Sequence, residues 1–342
     1  KKTIVQIGLC YYYQNYYLWI LIELTFGIIG SFILNYKINK EYPWLNANIK
    51  NGKRYFKRYP QIIKSTRQVF VHKIKDFLLM QSDQILIFAF VSLKMVAYYG
   101  NYTLLTSKII LLFDSVLNSV SAGIGNLVAE GNNKKILNVF WELMCIRYFI
   151  AGFVVAMVYL FIEPFITLWL GKEYILSHSI LILLMVNTYI ILSRGVVDNF
   201  NYAYGHFADT WSAWAEGGLN LGITFLLAPR FGVSGILLGK ITSLILIVIW
   251  WKPYYLFKSG FKKEIQEYWK QVWKFYFIFS TSFFSILIIR SFIPVDIINW
   301  ISFIKYNLVL TTIYLIIYSV QFLLFAPGIE LLKTRIYSLI KH

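Results

Sequence analysis

Residues 139–168 read VFWELMCIRYFIAGFVVAMVYLFIEPFITL, an almost unbroken apolar stretch. About 20 apolar residues in a helix cross the ~30 Å hydrocarbon core of a bilayer. Inside that core every backbone polar group must find its partner within the protein, and a continuous helix supplies those partners. The stretch therefore predicts a membrane-spanning helix, and with it an all-α fold.

Further stretches of similar character lie on both sides of this one, and Gly, Pro and Asn residues punctuate the gaps between them. The composition agrees with a membrane protein, because 58% of residues are hydrophobic and only 14% are charged, whereas a soluble domain carries about 25% charged residues. The sequence thus predicts a polytopic transmembrane helix bundle of about nine spans. These spans are residues 16–36, 69–93, 102–125, 139–168, 180–203, 211–228, 234–251, 273–293 and 301–325.

The net charge of +17 comes largely from Lys and Arg residues concentrated in a few loops. With nine spans, the most basic loops and the C-terminal tail all fall on one side of the membrane. An excess of Lys and Arg marks the cytoplasmic side. We therefore expect the loop at residues 37–67 and the tail after Phe325 to be cytoplasmic. The positive charge is interpreted as a topology signal, not as a nucleic-acid surface.

Charged side chains also lie inside the predicted spans, where a charge at mid-bilayer costs at least ~2.5–3.5 kcal/mol. In the second span, Lys73, Asp76 and Asp83 recur at helical spacing and are predicted to share one face. Such a face indicates the wall of a water-accessible cavity, unless Lys73 and Asp76 merely pair at the interface. The other candidates inside spans are Glu23, Lys108, Asp114, Glu142, Arg147, Arg194, Asp198, Glu216, Lys240, Arg290 and Lys305.

Three of these candidates carry a local expectation. Arg194 and Asp198 are four residues apart and could neutralise one another on one helix. Lys240 is near the start of its span and is placed to snorkel to the interface. Glu23 stands alone in an apolar helix, and the sequence offers no partner for it.

Several functional motifs are absent from the sequence. It contains no G-x-x-x-x-G-K-[ST], no H-E-x-x-H and no G-x-S-x-G. The four histidines lack metal-ligand spacing, and Cys10 and Cys145 form no CxxC pair. No predicted outer loop is long enough to hold a reaction centre. We therefore expect a protein that is not an enzyme, with no cofactor, no metal and no nucleic-acid partner.

Five local motifs follow one another along the chain. The last of them contains Trp211, Glu216, Asn220, Gly232, Val233 and Gly235. The five are HKIKDFLLMQSDQILIFAF at 72–90, YYGNYTLL at 98–105, SVSAGIGNLVAEGNNKKILNVF at 119–140, PFITLWLGKEYIL at 164–176 and WSAWAEGGLNLGITFLLAPRFGVSGILLGKITS at 211–243.

In this order the motifs resemble the polysaccharide (O-antigen, repeat-unit) flippases of the multidrug/oligosaccharidyl-lipid/polysaccharide exporter superfamily. Members have two six-helix lobes, and the resemblance runs from Tyr16 to the tail. It implies an N-terminally truncated chain. The implied parts are 1–36, the last helix of the N-terminal lobe; 37–68, a basic cytoplasmic linker; 69–256, the complete C-terminal six-helix lobe; 257–272, a basic cytoplasmic loop; 273–326, two additional helices; and 327–342, a cytoplasmic tail.

The resemblance also implies an activity. Flippases of this family move undecaprenyl-pyrophosphate-linked oligosaccharides from the cytoplasmic to the outer leaflet of the bacterial inner membrane, for surface polysaccharide (O-antigen, lipopolysaccharide) biosynthesis. The implied partners are the lipid-linked oligosaccharide, membrane lipid and a polysaccharide polymerase. Cationic residues would hold the phosphates in a hydrated cavity, and acidic residues would respond to coupling ions. The phosphate and sugar candidates are Lys73, Lys108, Arg147 and Arg194; the ion-coupling candidates are Asp76, Asp83, Asp114 and Glu216.

Two alternatives remain open at this point. A drug/cation antiporter of the same superfamily would favour an acidic cavity, whereas Lys and Arg are at least as numerous as Asp and Glu inside these spans. A membrane-embedded glycosyltransferase or polymerase would need an extramembrane reaction site, for which the predicted outer loops leave no room.

Overall fold

The computed structural model describes residues 2–44, 52, 58–207, 209–293 and 297–340, without the side chains of 75–81, 117, 118, 339 and 340. Over these ranges the chain is helical and contains no strand, which confirms the all-α fold class. The helices are α1 (Lys2–Tyr13), α2 (Tyr16–Glu41), α3 (Pro60–Phe90), α4 (Leu93–Leu117), α5 (Ser121–Glu130), α6 (Asn133–Trp169), α7 (His178–Ala203), α8 (Thr210–Phe231), α9 (Val233–Phe261), α10 (Ile265–Phe292), α11 (Trp300–Phe325) and α12 (Ile329–Ile340).

Every predicted span falls on one long helix, apart from 102–125, which covers α4 and α5. Six helices of the described chain are long and apolar enough to cross a bilayer: α2, α6, α7, α9, α10 and α11. Helices α4 and α5, which meet at a bend of 41°, are together also long and apolar enough to cross a bilayer and would form a seventh span. Helices α3 and α8 are less hydrophobic than these. Charged residues interrupt the apolar residues of α3, and Gly and Asn interrupt those of α8. The chain is thus a multi-pass membrane protein. Of the nine predicted spans, those on α3 and α8 are not apolar enough to be identified as membrane-spanning from composition alone.

Two predicted connecting segments are more helical than expected. Helix α2 continues to Glu41 and α3 begins at Pro60, so helices enter both ends of the predicted linker 37–68. Between α9 and α10 only residues 262–264 are non-helical, and most of the predicted loop 257–272 belongs to those two helices. Long Lys side chains can reach water from a helix end, so basic residues there do not force the helix to stop.

The chain divides into two compact units, Lys1–Lys64 and Ser65–His342. In the first unit α1 and α2 form a hairpin, and the Asn15 side chain accepts a hydrogen bond from Tyr17 N at the start of α2. The expectation that Glu23 lacks a partner is wrong. Lys2 forms an ion pair with Glu23, and Gln6 Nε2 donates to Glu23 Oε2 at 2.9 Å. These partners come from α1, which precedes the first predicted span.

Helix α6 lies at the centre of the second unit. Its buried face runs from Ile136 to Ile166 and includes small residues such as Ala151 and Gly152. Two phenols of α11 use this face: Tyr314 OH donates to Gly152 O at 3.2 Å, and Tyr318 OH donates to Tyr148 O at 2.9 Å. A Cβ at position 152 would collide with Tyr318, so Gly152 is what permits this approach. The last two long helices therefore pack onto the same core as the helices before them.

Candidate functional site

One buried ion pair joins three helices of the second unit. Lys240 Nζ on α9 lies 2.7 Å from Asp83 Oδ2 on α3, and Tyr99 OH on α4 donates to the same oxygen at 3.2 Å. The Lys240 side chain is 12% exposed and that of Asp83 is 7% exposed. Lys240 therefore does not snorkel to the interface, as its position near the start of its span had suggested, because a buried carboxylate offers its ammonium a closer partner.

The last of the five motifs, at residues 211–243, builds a helix hairpin. Gly235 packs against the backbone of Leu227, and Gly239 packs against Thr224, so α8 and α9 approach closely. Glu216 and Asn220 are fully buried in α8. Gly232, with φ +55°, makes the turn between the two helices. The structure thus places Glu216, an ion-coupling candidate, inside a packed hairpin and not on an open face.

A second ion pair links α4 and α6. Arg147, of which 3% is exposed, pairs with Asp114, whose side chain is 31% exposed. Arg147 Nη1 also donates to Leu192 O of α7 at 3.2 Å. The guanidinium passes directly over Gly195, where a Cβ would collide with it. A predicted phosphate ligand and a predicted ion-coupling residue are therefore brought together, with the carboxylate as the more exposed partner.

A third charged group lies on α7 and α9. Arg194 Nε is 3.5 Å from Asp198 Oδ2, which is the pairing within one helix that their spacing allowed. Lys252 Nζ lies 3.5 Å from the other carboxylate oxygen of Asp198. Two cations thus share one carboxylate, and the side chains of Arg194 and Asp198 are only partly covered, at 27% and 17% exposure. This group carries a net positive charge.

Two other cationic candidates are left uncovered. Lys73 on α3 and Lys108 on α4 are both exposed, and neither forms an ion pair within the described part of the chain. Asp83, ten residues after Lys73, points instead into the packed interior. The predicted common face of Lys73 and Asp83 is therefore not what the structure shows, because ten residues along an α-helix leave a rotation of about 80° between them. The side chain of Asp76 lies outside the described residues.

A polar cluster lies where α7 ends and α8 begins, beside α9. Asn201 Oδ1 lies 3.0 Å from His206 Nδ1, and Trp251 Nε1 donates to Asp209 Oδ2 at 2.8 Å. Burial lowers the pKa of the His206 imidazole, and the negative charge of Asp209 opposes that shift. The neutral imidazole is therefore the form that this cluster favours.

Sequence reasoning missed Tyr99 and Lys252 as partners. Tyr99 lies within the motif YYGNYTLL, but nothing in its spacing points to Asp83, and Lys240 is 157 residues from Asp83 along the chain. Such contacts depend on which helices become neighbours. Within the described ranges, no group of three or more His, Cys, Asp or Glu side chains is arranged to hold a metal ion.

The fold and these charged groups define a class of protein: a polytopic α-helical membrane protein whose spanning helices carry paired and uncovered charges. No family model matches the chain, and no curated protein matches it. One solved structure is similar, described as "Lipid II flippase MurJ, inward closed conformation", with a TM-score of 0.59 and 15% sequence identity. The alignment covers 94% of this chain and 64% of that one. The chain therefore has a fold similar to that of MurJ and spans 64% of the length of MurJ.

Proposed function

We propose that this chain belongs to a flippase that moves undecaprenyl-pyrophosphate-linked oligosaccharides across the bacterial inner membrane, for surface polysaccharide biosynthesis. The transporter performs no covalent chemistry on its substrate. Its basic loops face the cytoplasm, where the lipid-linked units are taken up, and a polysaccharide polymerase receives them on the other side. The carried glycan is of the O-antigen type, as in the polysaccharide flippases that the motifs resemble.

The observation that carries this proposal is the position of Lys108. It lies in the middle of α4, between Leu93 and Leu117, and its side chain is exposed on the second unit. An ammonium at that depth cannot face hydrocarbon without a cost of at least ~2.5–3.5 kcal/mol. This face of α4 must therefore meet water or another polar surface, which supports a hydrated cavity along it.

The charged groups of the second unit suit an anionic headgroup. Asp114, about two turns further along α4, is held by Arg147, so its charge is neutralised. Arg194 and Lys252 outnumber the single carboxylate that they share. A pyrophosphate would therefore meet net positive charge, and phosphate binds well to Lys and Arg donors. The drug/cation antiporter is less well supported, because a cationic substrate needs the opposite balance.

The fold supports a lipid-linked substrate. MurJ, whose structure is similar, is described as a lipid II flippase. Because the identity is 15%, the likeness concerns the fold, and the substrate class comes from the charges described above. Headgroup and lipid tail make opposite demands: a hydrated path for the polar headgroup and continuous contact with the bilayer for the tail.

The test supplies variants at Lys108 to a strain that lacks the flippase but makes the cognate lipid-linked glycan. Lys108→Ala should reduce export about tenfold or more, as expected for the loss of a charged phosphate contact, while Lys108→Arg should retain it. Lys94→Ala is the matched control, because Lys94 lies in the first turn of the same helix and contacts the Tyr98 ring.

Surface glycan is measured against the amount of flippase in the membrane. Normal export by Lys108→Ala at wild-type abundance would contradict the proposal. Protection of the cells against cationic dyes, with no export of glycan, would favour the antiporter instead.

A further inference from the structure

An apolar groove opens between α7, α9 and α10 over the side of α6. Its volume is about 500 Å³, within the ~300–1,000 Å³ that small-molecule sites occupy. Its walls include Val155 of α6, Met185 of α7, Ile249 of α9 and Phe283 of α10. We call it the α7–α10 groove. None of the charged groups described above contributes a side chain to it.

The groove faces the hydrocarbon. Its rim consists of Val186 on α7, Ile245 on α9 and Phe284 on α10, which are 40%, 43% and 64% exposed. These helices span the membrane, so exposed apolar side chains on them are in contact with lipid. Two aromatic rings inside the groove are packed together: Tyr189 stacks on Phe279 with ring centroids 4.7 Å apart, and both residues line the groove.

The backbone of α9 departs from regular helix beside the groove. Residues Leu244–Trp251 form π-helical turns, and Ile245 and Ile249 of this segment line the groove. π-helical turns are rare, and they occur frequently at functional sites. The irregular stretch therefore marks this side of α9 as more than a packing surface.

The length of the groove matches one leaflet. Along α10 its lining runs from Tyr276 to Leu287, which is about 16 Å at 1.5 Å per residue. Half of a ~30 Å hydrocarbon core is about 15 Å. A single acyl chain of ordinary length would fill the groove from end to end, whereas a much longer polyprenyl chain would extend beyond it.

One end of the groove is polar and cationic. Arg290 lies one turn beyond Leu287 on α10, near the end of that helix, and the Tyr159 hydroxyl of α6 belongs to another residue that lines the groove. The same hydroxyl is 3.3 Å from Nε2 of His178, the first residue of α7. Arg290 forms no ion pair with any residue that the structure describes, so its guanidinium is available at this mouth.

We propose that the α7–α10 groove binds an anionic phospholipid, with one acyl chain along α10 and the phosphate on Arg290, assisted by the Tyr159 and His178 pair. Arg donors favour phosphate because the fork of N–H groups matches its oxygens. The site is separate from the charged face of α4. Lipid binding there requires no transport, so the site can be tested whether or not the chain belongs to a flippase.

Native mass spectrometry of the detergent-purified chain, titrated with phosphatidylglycerol or phosphatidylcholine of the same acyl composition, tests the site. We expect one retained phosphatidylglycerol, bound about tenfold more tightly than phosphatidylcholine. Arg290→Gln should remove that preference. Val186→Trp should block the groove and reduce binding of both lipids.

Two matched controls accompany these variants. Lys305→Gln removes an exposed basic residue near the corresponding end of α11, and Leu308→Trp enlarges an exposed apolar side chain on that helix, neither of them at the groove. Both should bind phosphatidylglycerol like the wild type. All variants must elute as a single species before titration. Equal binding of the two phospholipids, unchanged binding in both groove variants, or retention of a polyprenyl phosphate in place of phosphatidylglycerol would overturn the proposal.

Discussion

Two lysines inside the helical bundle occupy opposite environments. Lys240 is enclosed between α3, α4 and α9, where it pairs with the Asp83 carboxylate, to which the Tyr99 hydroxyl also donates. Lys108 stands uncovered in the middle of α4, with no ion pair among the residues described. The first lysine fastens helices together, and the second is the one that we propose meets the phosphate. Charge and depth in a span therefore do not distinguish a structural cation from a functional one; the neighbouring helices do.

The largest effect is expected from breaking the enclosed pair. Lys240→Ala leaves the buried Asp83 carboxylate without its counter-ion and should cost about 3–5 kcal/mol of unfolding free energy. Unfolding of the purified chain in detergent, followed by intrinsic fluorescence, measures the loss. Lys108→Ala in the same assay should remain close to the wild type, because an exposed lysine leaves no buried charge behind.

The double variant Asp83→Asn, Lys240→Met separates charge from shape. It removes both charges and should recover much of the lost stability, since a buried pair contributes little beyond its own desolvation cost. If Lys240→Ala were as stable as the wild type, the contrast between the two lysines would fail.

A smaller effect is expected where Arg147 crosses α7. Gly195→Ala places a methyl group against the guanidinium and should destabilise the chain by about 1–3 kcal/mol, the usual cost of overpacking. Gly217→Ala on α8 is the matched control, because a Cβ there meets nothing within 4 Å. That control should be neutral or slightly stabilising. Equal stability of the two variants would show that Arg147 can leave Gly195 freely, and so resembles Lys108 more than Lys240.

The smallest effect is expected at His206, between the end of α7 and the start of α8, where water competes with the protein for hydrogen bonds. Burial lowers the pKa of His206 in the folded chain, below its ordinary value of about 6.5. As pH falls through 6.5 the unfolded chain takes up a proton first, so stability should decrease toward acid and level off below the folded pKa. His206→Gln should flatten this dependence between pH 7.5 and about 5. An unchanged pH profile in that variant would assign the dependence to other groups.

The positions of the helices follow from the sequence alone. Each predicted span except 102–125, which covers α4 and α5, lies on one long helix of the structure, including the two spans that are less apolar, on α3 and α8. A helix in a membrane makes its backbone hydrogen bonds within itself, so a run of consecutive apolar residues is enough to predict where it lies along the chain. The pairing of Arg194 with Asp198 could also be predicted from the sequence, because residues four apart are neighbours on one helix.

The partners of the charged residues were decided only by the tertiary structure. Asp83 with Lys240 and Arg147 with Asp114 are pairs between helices, 157 and 33 residues apart along the chain. A side chain's hydropathy and spacing fix the helix and face on which it lies. Which neighbour covers that face depends on close approaches such as those at Gly195 and Gly239. Burial of a charge is a property of the packed bundle, and no single helix contains it.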